Sequence, residues 1–365
     1  LEQRSVSGSD NSSVELGASR VFGSASISDA TSLTNLNADE SAPQGSSVLS
    51  GSSIQISAIG SMRGLAAASC QQPSNDFVIV GGSTLAGREA LMVLTNPSPI
   101  DATADLRVFT DLGEVTVSGL SGISVPAQST TTISLASFAP TVPSLAVQVQ
   151  SQGAKLAGWI QAREVRGTAA AGVDWISPNP QASENSVLPG LVIRGTRVIN
   201  QALRDEENSD AGHALRIFAP EGANVTVQIV SSEADTFGAV FTGIIEPGTV
   251  SNFPINELKD GNYSVFIASD KPVYSALRVA RGNPGGTPRL DFAWISPAEE
   301  LDTQRAVAIP TDGDSILILG NSGSAASTVL VQNLRSGAGV NVSVPALGTA
   351  TVDLSGPVSI SQSAG

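Results

Sequence analysis

One cysteine and one histidine occur in 365 residues, aromatic side chains make up 4% of them, and basic groups are outnumbered 33 to 19 by acidic ones. Each scarcity removes a class of function. Cys70 alone cannot form an intramolecular disulfide, which excludes a stapled small-domain scaffold; it is expected to be a buried small hydrophobe. Zinc sites built from several histidines and cysteines are excluded by count. A Cys-His pair would need His213, which lies more than a hundred residues from Cys70 in another repeat. A Ser-His-Asp triad has no G-x-S-x-G elbow to support it, so His213 is read as structural or surface exposed.

A formal charge of -14 and scattered arginines leave no basic cluster for a phosphate backbone, so no nucleic-acid partner is expected. Long apolar runs are missing too. FVIV at 77–80 and SILILG at 315–320 fall far short of the roughly 20 residues that cross a bilayer, and the chain as given is expected to be soluble. GLVIRGTRV at 190–198 and VIVGGSTLAG at 78–87 have neither phosphate-loop spacing. They read as bulges or hairpin turns, and no cofactor is expected.

What the chain does have is 41% hydrophobic residues arranged as short alternating runs between Gly, Pro, Asn and Ser. Such runs are strand-like, and helical periodicity is almost absent. The runs also repeat. DWISP at 174–178 returns as AWISP at 293–297, so Trp175 and Trp294 are 119 residues apart. Upstream, 144–167 matches 263–282, with Val147 over Val265, Trp159 over Leu277 and Arg163 over Arg281. Both copies read as a hairpin around a polar turn. EALMVLTNPS at 89–98 and ISVPAQSTTTISL at 123–135 resemble SILILGNSGS at 315–324 and VSVPALGTATVDL at 342–354. In each, an apolar strand ends in an asparagine turn, and Val-Pro opens a turn before a threonine-rich strand.

A period of 110 to 120 residues, about seven strands, predicts an all-β fold of tandem immunoglobulin-like β-sandwich modules, three in number. The expected organisation is an N-terminal extension at 1–70, module 1 at 71–180, module 2 at 181–298 and a partial module 3 at 299–365. Residues 1–70, with ELGASRVFGSASISD at 15–29 as candidate donor, are expected to lend strands to the third module or to form a partial module of their own, or a truncated C-terminus accounts for the gap. Residues 35–53 read as a long loop or flexible connection.

The repeated tryptophans are expected to cap the open ends of their sandwich cores, with Ile176 and Ile295 turned to the opposite face. Their competing reading is a pair of exposed sugar- or lipid-stacking platforms. TDGDS at 311–315 resembles part of a calcium loop but lacks its later glycine and terminal glutamate, so Asp312 and Asp314 read as solvated turn residues. RDEENSD at 204–210 reads as a charged surface loop. No catalytic, cofactor-binding or metal-ligating residue is assigned.

RGLAAASCQQPSNDFVIVGGSTLAGREALMVLTNPS at 63–98, with ADLRVFTDLGEV, VPAQSTTTISLASFAP and AGVDW after it, resembles a family of uncharacterised actinobacterial exported proteins. Cys70, Gly81-Gly82 and Asn96-Pro97 carry the likeness over most of 63–178; Phe77 stands where members often have tryptophan. The resemblance implies a membrane-anchored, extracytoplasmic protein of immunoglobulin-like modules, its anchor absent from this chain, and implies no catalytic residues. The expected function is therefore a non-enzymatic structural or protein-interaction array of the cell envelope, secreted or at the cell surface. Its expected partner is an envelope protein or the cell-wall polymer, and the alternative is a cell-wall carbohydrate-binding protein.

Overall fold

Alternating apolar residues and frequent turn formers give short antiparallel strands, and the chain is all β apart from one α-helix, Thr196–Ala202, among the described residues. The computed structural model describes residues 3–7, 24–28, 50–236, 238–255, 257–283, 289–302, 304–309 and 314–362.

The first sheet pair has a four-stranded sheet in the order Ser129–Ser134, Arg88–Asn96, Ala157–Arg166, Ala169–Ile176. Facing it are Asp76–Val80, Ala146–Gln152, Ala102–Thr110 and Gly113–Glu114, with Ile123–Val125 also paired to Ala102–Thr110. Ile79, Met92, Leu94, Val108, Val147 and Ile160 fill the space between the sheets. The second pair shares one long strand, Gly261–Asn283. Its first part pairs with Ser183–Ile193 and Ala223–Ser231, the latter extended by Ala239–Ile245. Its later part pairs with Ala214–Ala219 and Arg289–Ile295, and Thr249–Pro254 borders that sheet.

The predicted hairpins at 144–167 and 263–282 are therefore corrected. Ala146–Gln152 and Ala157–Arg166 lie in opposite sheets and do not pair with each other. Gly153, at φ +87, carries the chain across, and a Cβ there would lie 2.6 Å from the Asp101 carbonyl oxygen. In the second pair the same crossing is made without a break in the strand. The alignment also slips by one residue: Ile160 pairs with Ile176 as Leu277 pairs with Ile295, so Ile160, not Trp159, occupies the place of Leu277. A one-residue slip exchanges the two faces of a strand, which is why Ile160 and Leu277 are buried and Trp159 is not.

The last sheets reproduce half of this design. Arg305–Val307, Val358–Gln362, Ser327–Asn333 and Gly339–Val344 form one sheet in that order, and Ser315–Asn321 with Gly348–Leu354 forms the other. The predicted asparagine turns match in detail. Asn96 donates to the Ile100 and Val125 carbonyls while its Oδ1 accepts from the Ser98 N–H. Asn321 donates to the Ala325 and Val344 carbonyls and accepts from the Gly323 N–H. Each Val-Pro turn then places a non-glycine residue at positive φ, Gln128 at 50° and Leu347 at 46°.

An N-terminal hairpin, Ser52–Ser57 with Gly64–Ser69, precedes the first pair and replaces part of the loop expected at 35–53. The strand expected to be donated from 15–29 is described only at Ser24–Ser28, which pairs in parallel with Gln3–Ser7.

Candidate functional site

The second sheet pair docks on the first through residues that alternation along each strand turns away from its own core. On Ala214–Ala219, Leu215 and Ile217 face inward, whereas Phe218 packs on the first pair against Phe109, on the strand face that also carries Arg107 and Gln148. On Arg289–Ile295, Phe292 and Trp294 likewise pack on the first pair, and Ile295 turns back to the second core. Phe218 sits 4.5 Å from Phe109 and 6.0 Å from Tyr274, ring centre to ring centre. This corrects the expected orientation of both tryptophans. Ile176 and Ile295 face their own cores, and each tryptophan faces the other way. Trp294 is only 9% exposed because the first pair covers it, whereas Trp175 is half-buried.

Arg216 is the centre of this seam. Its guanidinium donates to the Gly82 carbonyl, to the Pro143 carbonyl at 2.7 Å and to Asn252 Oδ1 at 3.1 Å, and lies 4.7 Å from the Trp294 ring centre. Burial, with Arg278 nearby, pushes its pKa down to about 9. Gly81 is explained by this approach. Gly81, at φ +142, has Ile176 2.9 Å and the Trp294 ring 3.1 Å from where a Cβ would stand. The turn expected at 78–87 is thus a contact surface for the next sheet pair.

Beside it lies an ionic network, buried at Glu164, Arg166 and Arg278 and open to solvent at Asp210. Glu164 pairs with Arg166 at 2.5 Å and Arg278 at 2.9 Å; Asp210 pairs with Arg166 at 2.7 Å and Arg88 at 2.5 Å. Arg278 also donates to the Ala211 and Gly212 carbonyls and stacks 4.9 Å from the Phe292 ring centre. Burial alone would raise the Asp210 carboxyl, but hydrogen bonds from Arg88 and Arg166 hold it below the usual carboxylate range. Asp210 therefore ties the 204–210 segment, read from sequence as a surface loop, into the seam. Counting Arg216, four guanidinium groups face two carboxylates in an acidic protein.

A cleft of about 400 Å³ opens at this seam, lined by Asp111, Asp210, Arg216 and Arg278 and by the apolar side chains of Ile244, Val250 and Phe253. Ile244 belongs to Ala239–Ile245, a strand at the border of its sheet, where Val240 is 68% and Ile244 76% exposed.

A second cluster lies where three strands meet. Asp174 accepts from the Trp294 N–H at 2.6 Å and the Ala67 N–H at 3.4 Å; Asp291 accepts from the Leu65 N–H at 3.1 Å. Arg63 donates to the Ala170 and Leu290 carbonyls. Asp174 is 3% exposed, and this burial pushes its pKa up to about 7 although the backbone donors oppose the shift. Burial raises Asp291 as well.

His213 is buried; its Nδ1 accepts from the Ala280 N–H at 3.1 Å, and burial with Arg278 and Arg281 nearby lowers its pKa to about 4. Cys70 corrects the expectation of a buried side chain: it is exposed at the end of the N-terminal hairpin, although neighbouring chain still raises its thiol pKa. Asp312 lies outside the described residues, and Asp314 is exposed. Among the described residues no three His, Cys, Asp or Glu side chains converge as a metal site, and no helix is long and apolar enough to cross a membrane.

Reading the sequence missed Arg216, Glu164, Arg278 and Trp159. Trp159 and Gln161 share a strand face, and Gln161 pairs with Trp175, so the two half-buried indoles lie on the same outer face. The signal for the seam was present in LRIFA at 215–219, which is apolar at both strand parities except at Arg216, as strands covered on both faces are.

No curated protein matches the sequence. The solved structure of Thermotoga maritima 1070 is 16% identical, with 31% of this chain and 93% of that chain covered at a TM-score of 0.23, a likeness that carries no argument. The family model that matches spans residues 21–356, nearly the whole sequence, and the chain therefore belongs to DUF5719, a family of unknown function.

Proposed function

We propose that the protein is a non-enzymatic, extracytoplasmic array of three immunoglobulin-like modules, exported by an actinobacterium, that holds or contacts another protein of the cell envelope. The observation that supports this reading is the border strand Ala239–Ile245. It presents exposed Val240 and Ile244 beside a cleft whose wall carries Arg216 and Arg278. A strand edge with outward apolar side chains can accept an extended segment of a partner by backbone pairing, and the cleft offers an apolar side chain or carboxylate a place to dock. The docked sheet pairs hold that edge on a rigid support. A photo-crosslinking residue at Val240, compared in cells with one at exposed Leu112, tests the proposal. One defined envelope protein captured at Val240 alone, and lost with Ile244→Asp, supports it; the same products from both positions contradict it.

Trp159 and Trp175 on one outer face favour a second reading, a cell-wall carbohydrate platform. Saturable binding to cell-wall glycan that disappears in Trp175→Ala supports that reading, and well-folded protein with no saturable binding removes it.

A further inference from the structure

Charge is not balanced where the first two sheet pairs dock. Glu164 is shared by Arg166 and Arg278, and Asp210 by Arg166 and Arg88. Arg216 has no carboxylate within ion-pair distance among the described residues; its three hydrogen bonds go to the neutral oxygens of Gly82, Pro143 and Asn252. Its Nη1 and Nη2 each carry a second N–H. A buried guanidinium held only by neutral acceptors keeps a charge that is costly until an anion joins it. The depressed pKa of Arg216 has the same origin, burial first and then the Arg278 charge, with Glu164, Asp210 and Asp111 opposing from farther away.

This charge lies at the bottom of the 400 Å³ cleft, a volume in the usual range for binding clefts. Arg216 and Arg278 are 7% and 4% exposed, while Ile244 in the same cleft is 76% exposed, so the guanidinium groups form a floor and Ile244 a lip. Arg216 pairs with Ala276 and Ala214 with Arg278, which makes the two arginines diagonal neighbours on one sheet face, within mutual reach of one carboxylate. Val250 and Phe253 supply apolar wall on the side of the second pair; Pro143 and Ser144 face them from the first.

We propose that the cleft takes one acidic side chain, Asp or Glu, of an extended partner segment, its carboxylate seated against Arg216 and Arg278 while the segment's backbone follows Ala239–Ile245. The inference rests on the reading of that strand as the partner-binding edge and adds the chemistry of the group inserted beside it. Charge complementarity selects the occupant. An apolar side chain on this floor would strip water from Arg216 without balancing it, and a cation would meet two guanidinium groups. Asp210 does not fill the role, because Arg88 and Arg166 already hold it. Asp111 is exposed at the mouth and subtracts one charge; four guanidinium groups against Glu164, Asp210 and Asp111 still leave one positive charge. The depth from lip to floor calls for a side chain reaching down from a continuing strand, with its methylene stem against Val250 and Phe253.

Selection of a displayed random heptapeptide library on the whole folded chain tests this. Enriched peptides are expected to carry Asp or Glu among alternating apolar residues, and to lose binding to Ile244→Asp, which sets a like charge at the lip. Enrichment without acidic residues, no enrichment, or acidic peptides that bind Ile244→Asp as well as the parent overturns the proposal. For the best acidic peptide, changing its carboxylate to the amide is expected to raise Kd at least about tenfold, the loss of a charge-assisted bond to a buried guanidinium. Asp111→Asn, at an exposed position, is expected to lower Kd about twofold to fivefold. An amide peptide that binds as tightly, or an Asp111→Asn variant that does not tighten the acidic peptide, contradicts the assignment. The crosslink at Val240 reads the edge separately. An envelope protein captured there through a segment with no acidic residue removes the carboxylate and keeps the edge; acidic peptides selected while Val240 captures no envelope protein keep the cleft and remove the envelope partner.

Discussion

Two segments with nearly the same letters, 173–178 and 292–297, lie in different surroundings. In both, isoleucine faces its own core and tryptophan faces outward; Trp294 is covered by the first sheet pair and by Arg216, and Trp175 is left half-buried. Burial of the tryptophan is therefore a property of the neighbour and not of the motif. The comparison also separates two kinds of polar group. Around Trp294 the buried charges are ion-paired or hydrogen-bonded to backbone, Asp174 accepting from N–H groups and Arg216 donating to carbonyls, whereas the outer face around Trp175 carries Gln161 and Arg163.

The sharpest break in this comparison is Trp294→Ala, expected to cost about 3 to 5 kcal/mol because a large core aromatic and the surface under Arg216 are lost together. Chemical denaturation measures it. Next in size is the pH dependence set by Asp174. With a folded pKa of about 7 against about 3.9 unfolded, protonation favours the folded state. Its contribution is full below pH 4 and is lost as pH rises through 7, at most about 4 kcal/mol. Asp174→Asn should therefore gain stability relative to the parent as pH rises from about 4 to 7. His213 acts with the opposite sign, because its depressed pKa of about 4 makes stability rise with pH between about 4 and 6.5. The parent profile should be flatter than that of either single variant.

Glu164→Gln leaves Arg166 and Arg278 without their shared carboxylate and should cost about 3 kcal/mol, read by the same denaturation. Trp175→Ala is the smallest effect, about 1 to 2 kcal/mol, because only part of the ring is removed from water. A cost for Trp175→Ala equal to that of Trp294→Ala would show that the outer face of the first pair is covered in solution.

Much of the strand pattern was legible in sequence because turns and alternation are local. Asn96 and Asn321 announce their turns by their neighbours, and Val125-Pro126 and Val344-Pro345 mark the same bend in both copies. The crossing of 144–167 between sheets was not legible, since a polar turn flanked by two strands looks the same in a hairpin. The candidate site was largely hidden for a related reason. Alternation assigns Arg216, Phe292 and Trp294 to an outward face, but does not state which other surface meets that face. Asp174 lay inside the quoted DWISP motif, yet its pKa is raised by burial, against the opposing N–H groups of Ala67 and Trp294, which belong to strands far from it along the chain.

The central claim is that one motif is buried by docking in its second copy and left open in its first. Acrylamide quenching of two variants, each retaining only Trp175 or only Trp294 with the other tryptophans changed to phenylalanine, measures this directly in the native state. The account predicts ready quenching of Trp175 and little quenching of Trp294 until the protein unfolds. Equal quenching of the two indoles in folded protein contradicts it.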